Sequence, residues 1–314
     1  YPLVFDTMGR QLRDYDVVLA DSSAWAHHVS LDPEQVLVCY CHSPARFLYG
    51  DQDYLARSSL PGMARHVLPA ISAGFRAIDR RAAARVDRYV ANSLNVSRRI
   101  RRAYGREARV IYPPVDLARF SMDPPAAEPE PWFLVLSRLV PHKRIDIAIA
   151  ACTRAGIPLK IIGDGRARGE LERVAGPSVE FLGQLTDAAV ADHLKRCRAL
   201  ILPAAEDFGM TAIEAQAAGR PVVAYGKGGA LESVISGETG VFFPELSPSS
   251  LLAAIDVFGR VTWKPSIAIA NARRFSAERF VRELDQEIAA AMEAKRIASG
   301  GSFSGGARSA AAKP

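Results

Sequence analysis

Several features are scarce in this chain of 314 residues, and each scarcity excludes something. Four cysteines, Cys39, Cys41, Cys152 and Cys197, are too few and too scattered for a disulfide framework. Cys39 and Cys41 alternate along an expected strand and read as two small apolar side chains, not a metal site. No apolar run reaches the ~18 residues of a membrane-spanning helix. The opening has no basic stretch followed by an apolar one, so a cytoplasmic location is the expectation. The Gly-x-Gly-x-x-Gly of a dinucleotide-binding first strand is absent, which argues against an oxidoreductase. The glycine-rich stretch Gly226-Lys-Gly-Gly-Ala-Leu-Glu-Ser233 is not followed by the lysine and hydroxyl residue of a Walker loop. No internal repeat of solenoid period is present.

Apolar residues make up 49% and charged residues 24%, enough for substantial cores and against wholesale disorder. The net charge of +6 is concentrated. Residues 61–110 hold twelve Arg, no Lys and only three acids, Asp79, Asp87 and Glu107. Such a field suits an anionic partner: lipid headgroups, nucleic acid or diphosphates. Sparse aromatic interleaving disfavours nucleic acid.

Short apolar runs alternate with helical patterns. Strands are expected at Asp16–Ala20, Gln35–Cys41, Arg88–Ala91 and Arg109–Tyr112, the first two buried. A long helix is expected over 61–85, with Met63, Val67, Leu68, Ile71, Phe75 and Ile78 on its apolar face, and a basic helix over about 94–104. Residues 123–131 form a proline-rich linker. A second series follows, with strands Trp132–Leu136, Leu159–Ile162, Val179–Leu182, Ala199–Leu202 and Pro221–Ala224. Helices are expected between them at about 143–155, 167–174, 187–196 and 210–218. Two further helices are expected near 248–258 and 276–297, the last capped by Ser276. The low-complexity tail 299–314 is expected to be disordered. The result is an α/β chain of two Rossmann-like domains: a partial first one over 1–122 and a second over 132–270. The helix 276–297 is expected to pack back on the first. In such sheets ligands sit at the carboxyl ends of the strands, here in the cleft between the domains.

Chemistry-bearing residues cluster after those strands. Glu206 and Glu214 flank a strand-loop-helix turn containing Phe208 and Gly209. A helix starting near Met210 would leave free N–H groups at Gly209, Met210 and Thr211 for a phosphate. The two carboxylates would then accept sugar hydroxyls on either side. The same spacing also fits a helix with a first-turn acid plus an unrelated loop acid. Arg138 and Lys143 follow the strand 132–136 and can converge on one anion, or be solvated surface charges. His42, in Cys39-Tyr-Cys-His-Ser-Pro44, ends a first-half strand; a structural histidine is the alternative. Gly163, Gly165, Gly228 and Gly229 permit close backbone approach to a ligand, and Glu232 could bind a hydroxyl or cap a helix.

Taken in order, Ser137-Arg138…Lys143, Gly163-Asp-Gly165, Glu206-x7-Glu214, Gly228-Gly229…Glu232 and Gly237…Gly240 resemble the donor-binding half of glycosyltransferase family 4. Cys-His-Ser-Pro44, Ala91-Asn-Ser93 and Ile111-Tyr-Pro-Pro-Val-Asp116 are similar to the first half of its bacterial mannosyltransferase-like members. The resemblance runs from about residue 3 to 290. It implies a GT-B fold and transfer with retention of anomeric configuration from a nucleotide sugar, GDP-mannose favoured, with no metal or other cofactor. The acceptor would be a glycan or a polyprenyl-linked sugar, in polysaccharide or glycolipid synthesis. Arg138 and Lys143 would contact the donor diphosphate, Glu206 the transferred sugar, and Glu214 the ribose. Backbone amides around Gly209–Thr211 would hold sugar and phosphates, with His42 near the reaction centre. Phe208, Gly163, Gly229 and Glu232 are further candidates. Asp51-Gln-Asp53 resembles the metal motif of a different transferase fold and reads as incidental. Such proteins open with a strand and a glycine-rich loop that Tyr1 onward does not supply, so an incomplete N-terminal domain is expected. The Arg-rich region 65–109 fits docking on the inner face of the plasma membrane. Two other activities suit the same architecture: nucleotide-sugar binding without catalysis, and epimerisation of a nucleotide sugar without an acceptor.

Overall fold

A computed structural model describes residues 2–50, 64–120 and 128–299. Asp51-Gln-Asp53, Met63, most of the proline-rich linker and the glycine-rich tail lie outside the described residues, as do the side chains of Val67 and Leu68. The chain forms two compact units, Tyr1–Tyr112 with Val281–Pro314, and Pro113–Phe280. Each has its own parallel sheet.

The first sheet has the order β1-β2-β3-β4, with β1 Val17–Ser22, β2 Val36–Cys41, β3 Arg88–Ala91 and β4 Ala108–Val110. All three pairings are parallel. β2 lies inside the sheet and is buried at every residue, as its unbroken apolar run requires. β1 is an edge strand. Only Ala20 and Ser22 along it are buried, so the expectation of a buried strand over 16–20 is corrected. The core gathers Leu37, Cys39 and Cys41 with Tyr89, Ala91, Val96 and Ile100. The helix Leu94–Tyr104 begins at Ser93, whose hydroxyl accepts from the Val96 amide, and ends at Gly105 in the left-handed region.

The long helix runs Ala64–Ala83, and its buried face differs from the expected one. Ile71, Phe75 and Ile78 are 50%, 42% and 54% exposed, whereas Asp79, Ala82 and Ala83 are buried. Burial is concentrated at the end of the helix, around a polar anchor: Asp79 Oδ1 lies 3.0 Å from His27 Nε2 and 2.7 Å from His28 Nε2, all three residues being buried. A buried carboxylate must be paired in this way, and the small Ala82 and Ala83 allow the close packing around it. In the same unit, Arg109 bonds Glu287 at 3.0 Å and Lys295 bonds Asp87 at 3.0 Å, tying the strand ends to the helix Ala277–Ala298. The Ser276 hydroxyl accepts from the Arg279 amide at the start of that helix.

The second sheet comprises β5 Phe133–Leu136, β6 Leu159–Ile162, β7 Val179–Gly183, β8 Ala199–Leu202, β9 Val222–Tyr225 and β10 Gly240–Phe243. Its order is β10-β9-β8-β5-β6-β7. The sequence reading did not include β10 or the helix Pro265–Ala272. The order reverses between β5 and β8, and in open parallel sheets the crevice for a ligand opens at such a reversal. The core packs Phe133, Val135, Ile161, Ile201 and Val223 against Ile145, Ile149 and Leu251 of the covering helices. A buried polar network braces the β8–β9 side. Asn271 Nδ2 donates to Gln216 Oε1 at 2.6 Å and to the Ser233 carbonyl at 2.8 Å, and Gln216 Nε2 donates to the same carbonyl at 3.0 Å. It joins the helix Met210–Ala217 to the segment following the glycine-rich turn.

Candidate functional site

The two loops at the reversal of the second sheet carry the charged residues singled out above. After β5 the chain turns through Pro141–Lys143; after β8 it runs through Glu206 to the helix Met210–Ala217. Lys143 Nζ lies 2.6 Å from both Oε1 and Oε2 of Glu206. Their side chains are 23% and 15% exposed, so the pair is partly withdrawn from water. Lys143 was read from sequence as a diphosphate contact and Glu206 as a sugar contact. In the structure each is the other's partner.

The glycines explain how these loops are held. Gly228 has φ +75°, and a Cβ there would lie 2.3 Å from the Glu206 carbonyl oxygen. At Gly229 a Cβ would lie 2.3 Å from the Phe208 Cα. The Gly229 amide donates to the Glu206 carbonyl at 2.9 Å, and Glu206 and Gly228 form a parallel bridge. These glycines therefore admit the backbone that carries Glu206. Gly163 and Gly165 do the same on the other side, where a Cβ would meet the carbonyl oxygens of Ser137 at 2.0 Å and Leu139 at 2.3 Å. The Leu139 amide donates to the Asp164 carbonyl and the Ser137 amide to the Ile162 carbonyl. Between those anchors Arg138 is exposed.

Gly209 precedes the helix with φ +86°, a conformation that glycine adopts without strain. The first-turn amides of Met210 and Thr211 have no helical acceptor, and Met210 is exposed. Phe208 is a core residue, its ring centroid 5.5 Å from that of Phe275. Glu214 lies one turn inside the helix and is half-buried. Burial pushes its carboxyl pKa up, the nearby Arg119 opposes this, and Asp187 adds to it. Arg119 is a residue the sequence reading missed. It reaches across from Leu117–Phe120 and bonds Asp187 at 2.9 Å. Glu232 is half-buried in the short helix Ala230–Ser233.

In the first unit, His42 follows β2 at its carboxyl end. Its Nε2 lies 2.6 Å from Oδ1 of Asp21, near the end of the adjacent β1, and its ring meets Tyr40 edge-on at 5.2 Å. Asp21 was not anticipated either. The His27–His28–Asp79 cluster is the one group of potential metal ligands among the described residues. Its short nitrogen-to-oxygen distances are those of hydrogen bonds. All four cysteines are buried and free. Burial pushes the Cys152 thiol up to about 12 and the Cys197 thiol up to about 12, which suits inert core side chains.

Comparison with known proteins bears on the identity of this arrangement. Residues 2–119 match the family described as Glycosyltransferase Family 4, and residues 119–274 match Glycosyl transferases group 1. A D-inositol 3-phosphate glycosyltransferase of Geodermatophilus obscurus is 31% identical over 69% of this chain and 55% of its own length. A GDP-mannose-dependent alpha-mannosyltransferase of Mycolicibacterium smegmatis is 34% identical over 34% of this chain and 28% of its own length. The chain thus spans about half the length, or less, of the curated relatives it matches. Among solved structures, Anabaena Alr3699/HepE in complex with UDP and glucose superposes with a TM-score of 0.72 at 20% identity, covering 91% of this chain and 81% of that one. With two parallel sheets, both family matches and this structural likeness, the chain belongs to the family-4 glycosyltransferases and has the GT-B fold.

Proposed function

We propose that the chain transfers a glycosyl group from a nucleoside diphosphate sugar to an acceptor hydroxyl, with retention at the anomeric carbon. The observation that carries this reading is the meeting of Lys143 and Glu206 at the sheet reversal, beside the start of the helix Met210–Ala217. That crevice offers cations and free amides to a diphosphate and a carboxylate to sugar hydroxyls. Arg138, Lys143 and the amides of Met210 and Thr211 take the negative charge that builds on the leaving diphosphate. Glu206 accepts from hydroxyls of the transferred sugar and Glu214 from the ribose. The acceptor oxygen forms its bond to the anomeric carbon on the face from which the diphosphate departs. Its proton passes to a departing phosphate oxygen. Gly163, Gly229 and Phe208 support this site through the backbone and the core. GDP-mannose is the favoured donor, supported by the short match to the GDP-mannose-dependent relative.

The acceptor we favour is a glycan or a polyprenyl-linked sugar at an anionic membrane surface. The exposed arginines of the Arg-rich region, among them Arg81, Arg98, Arg101 and Arg102, support that placement. No helix among the described residues is long and apolar enough to cross a membrane.

The test is a screen of GDP-, UDP- and ADP-sugars with lipid-linked acceptors, with and without a chelator. One donor should give an acceptor-dependent product whose formation the chelator leaves unchanged. Interconversion of the sugar without an acceptor would instead identify an epimerase. Binding without turnover would leave a nucleotide-sugar-binding protein.

A further inference from the structure

Lys143 and Glu206 each have a task in the proposed reaction, and they are also bonded to each other through both carboxylate oxygens. Three observations give the pair a consequence for selectivity. The side chains are only 23% and 15% exposed, so the charges interact in a medium less screening than bulk water. The Glu206 backbone is locked to the glycine turn through the Gly229 amide and the Glu206–Gly228 bridge, so the carboxylate cannot leave the crevice by a loop shift. The polypeptide at Gly228 tolerates no side chain that could stand in its place.

We propose that the Lys143–Glu206 ion pair makes the site discriminate against a bare nucleoside diphosphate in favour of one that carries a sugar. The inference rests on the donor-site reading above. A bare diphosphate that draws Lys143 away leaves the Glu206 carboxylate without its cation, facing an added polyanion. Both consequences oppose binding. A sugar-bearing donor supplies hydroxyl donors to Glu206 as its diphosphate takes Lys143, so both partners are exchanged and neither is stranded. The pair thus limits occupancy by the nucleoside diphosphate product while admitting the donor.

The test is calorimetric titration of the full chain with GDP, UDP and ADP and with the corresponding sugar nucleotides, in the wild type, Glu206→Gln and Lys143→Met. For whichever base the wild type selects, Glu206→Gln should bind the bare diphosphate roughly tenfold tighter. Its affinity for the sugar nucleotide should stay level or fall, so the preference for the sugar-bearing form shrinks. Lys143→Met should weaken both ligands. Should Glu206→Gln not fold, Glu206→Asp, too short to keep both contacts, should shift the bare diphosphate in the same direction. Equal or weaker diphosphate binding by a folded Glu206 variant overturns the selectivity role and leaves the donor site standing. No binding by the wild type, or binding indifferent to Lys143→Met, removes the donor-site assignment and the inference with it.

Discussion

The two sheets carry polar groups at their carboxyl edges by different means. In the second, charged residues sit on loops that are clamped by glycines of neighbouring loops, Gly163 and Gly165 against Ser137–Leu139 and Gly228 and Gly229 against Glu206–Phe208. In the first, His42 and Asp21 come directly from adjacent strands, and the polar group that organises the unit, Asp79 with His27 and His28, is buried away from solvent. In the second sheet the glycine clamps fix backbone and leave the partly exposed side chains of Lys143 and Glu206 able to change partners. In the first unit the Asp79 cluster fixes fully buried side chains to each other. A site that must exchange partners with a ligand is expected on the former, and a structural anchor on the latter.

This contrast can be broken in stages. The largest effect is expected in the second unit, where Glu206→Gln should lower turnover by roughly 10²–10³-fold with a melting temperature close to wild type. A large loss of stability instead would make Glu206 a structural residue. Next, Gly228→Ala should destabilise by ~2–4 kcal/mol, since its Cβ meets fixed backbone at positive φ. The comparison is Gly74→Ala, in a helix with nothing within 4 Å of the added carbon, which should stabilise by ~0.5–1 kcal/mol. Denaturant melts of the two variants would show opposite shifts.

In the first unit, Asp79→Asn should cost ~1–3 kcal/mol: the amide oxygen still accepts, but the two charge-assisted bonds to buried imidazoles become neutral ones. Burial alone pushes the Asp79 carboxyl pKa up, but hydrogen bonds from His27 and His28 outweigh it, and the net direction is down. A depressed carboxylate stabilises the fold above its unfolded pKa of about 3.9, and that contribution disappears as pH falls through the folded value. Wild type should therefore lose stability more steeply than Asp79→Asn below about pH 4, which pH-dependent unfolding measures. The smallest effect belongs to Glu214. Its pKa is raised, so its ionised form opposes folding at neutral pH. Glu214→Gln should leave the melting temperature level or raise it by ~1–3 °C, while weakening nucleotide binding.

Much of the second unit was legible because its signals are local. Leu159–Ile162 and Ala199–Leu202 are short apolar runs bounded by turns and appear as β6 and β8 with those limits. Lys143, Glu206 and the Gly209 helix start were picked out by their place after strands. Their pairing was not legible, because it depends on β5 lying beside β8, and nothing in the chain between two residues 63 positions apart states that adjacency. The glycines were seen, but what approaches them was not, since a close-approach glycine looks the same whether it faces a ligand or a loop. In the first unit, Asp79 was counted only as one acid among arginines, and His27–His28 carried no spacing signature. Helical periodicity then assigned Ile71, Phe75 and Ile78 to the core, because it weighs apolar spacing and has no term for a buried carboxylate. Arg119 and Asp21 were missed for the same reason as the pairing: each acts on a residue distant in sequence.

On the proposed reading, one nucleotide diphosphate occupies the crevice at the reversal of the second sheet. Hydrogen exchange of the full chain, with and without the nucleoside diphosphate it selects, tests it most directly. Slowed exchange should appear in peptides spanning 137–143 and 206–214, including the amides of Met210 and Thr211. Unchanged exchange there under saturating nucleotide, with protection elsewhere in the chain, would contradict it.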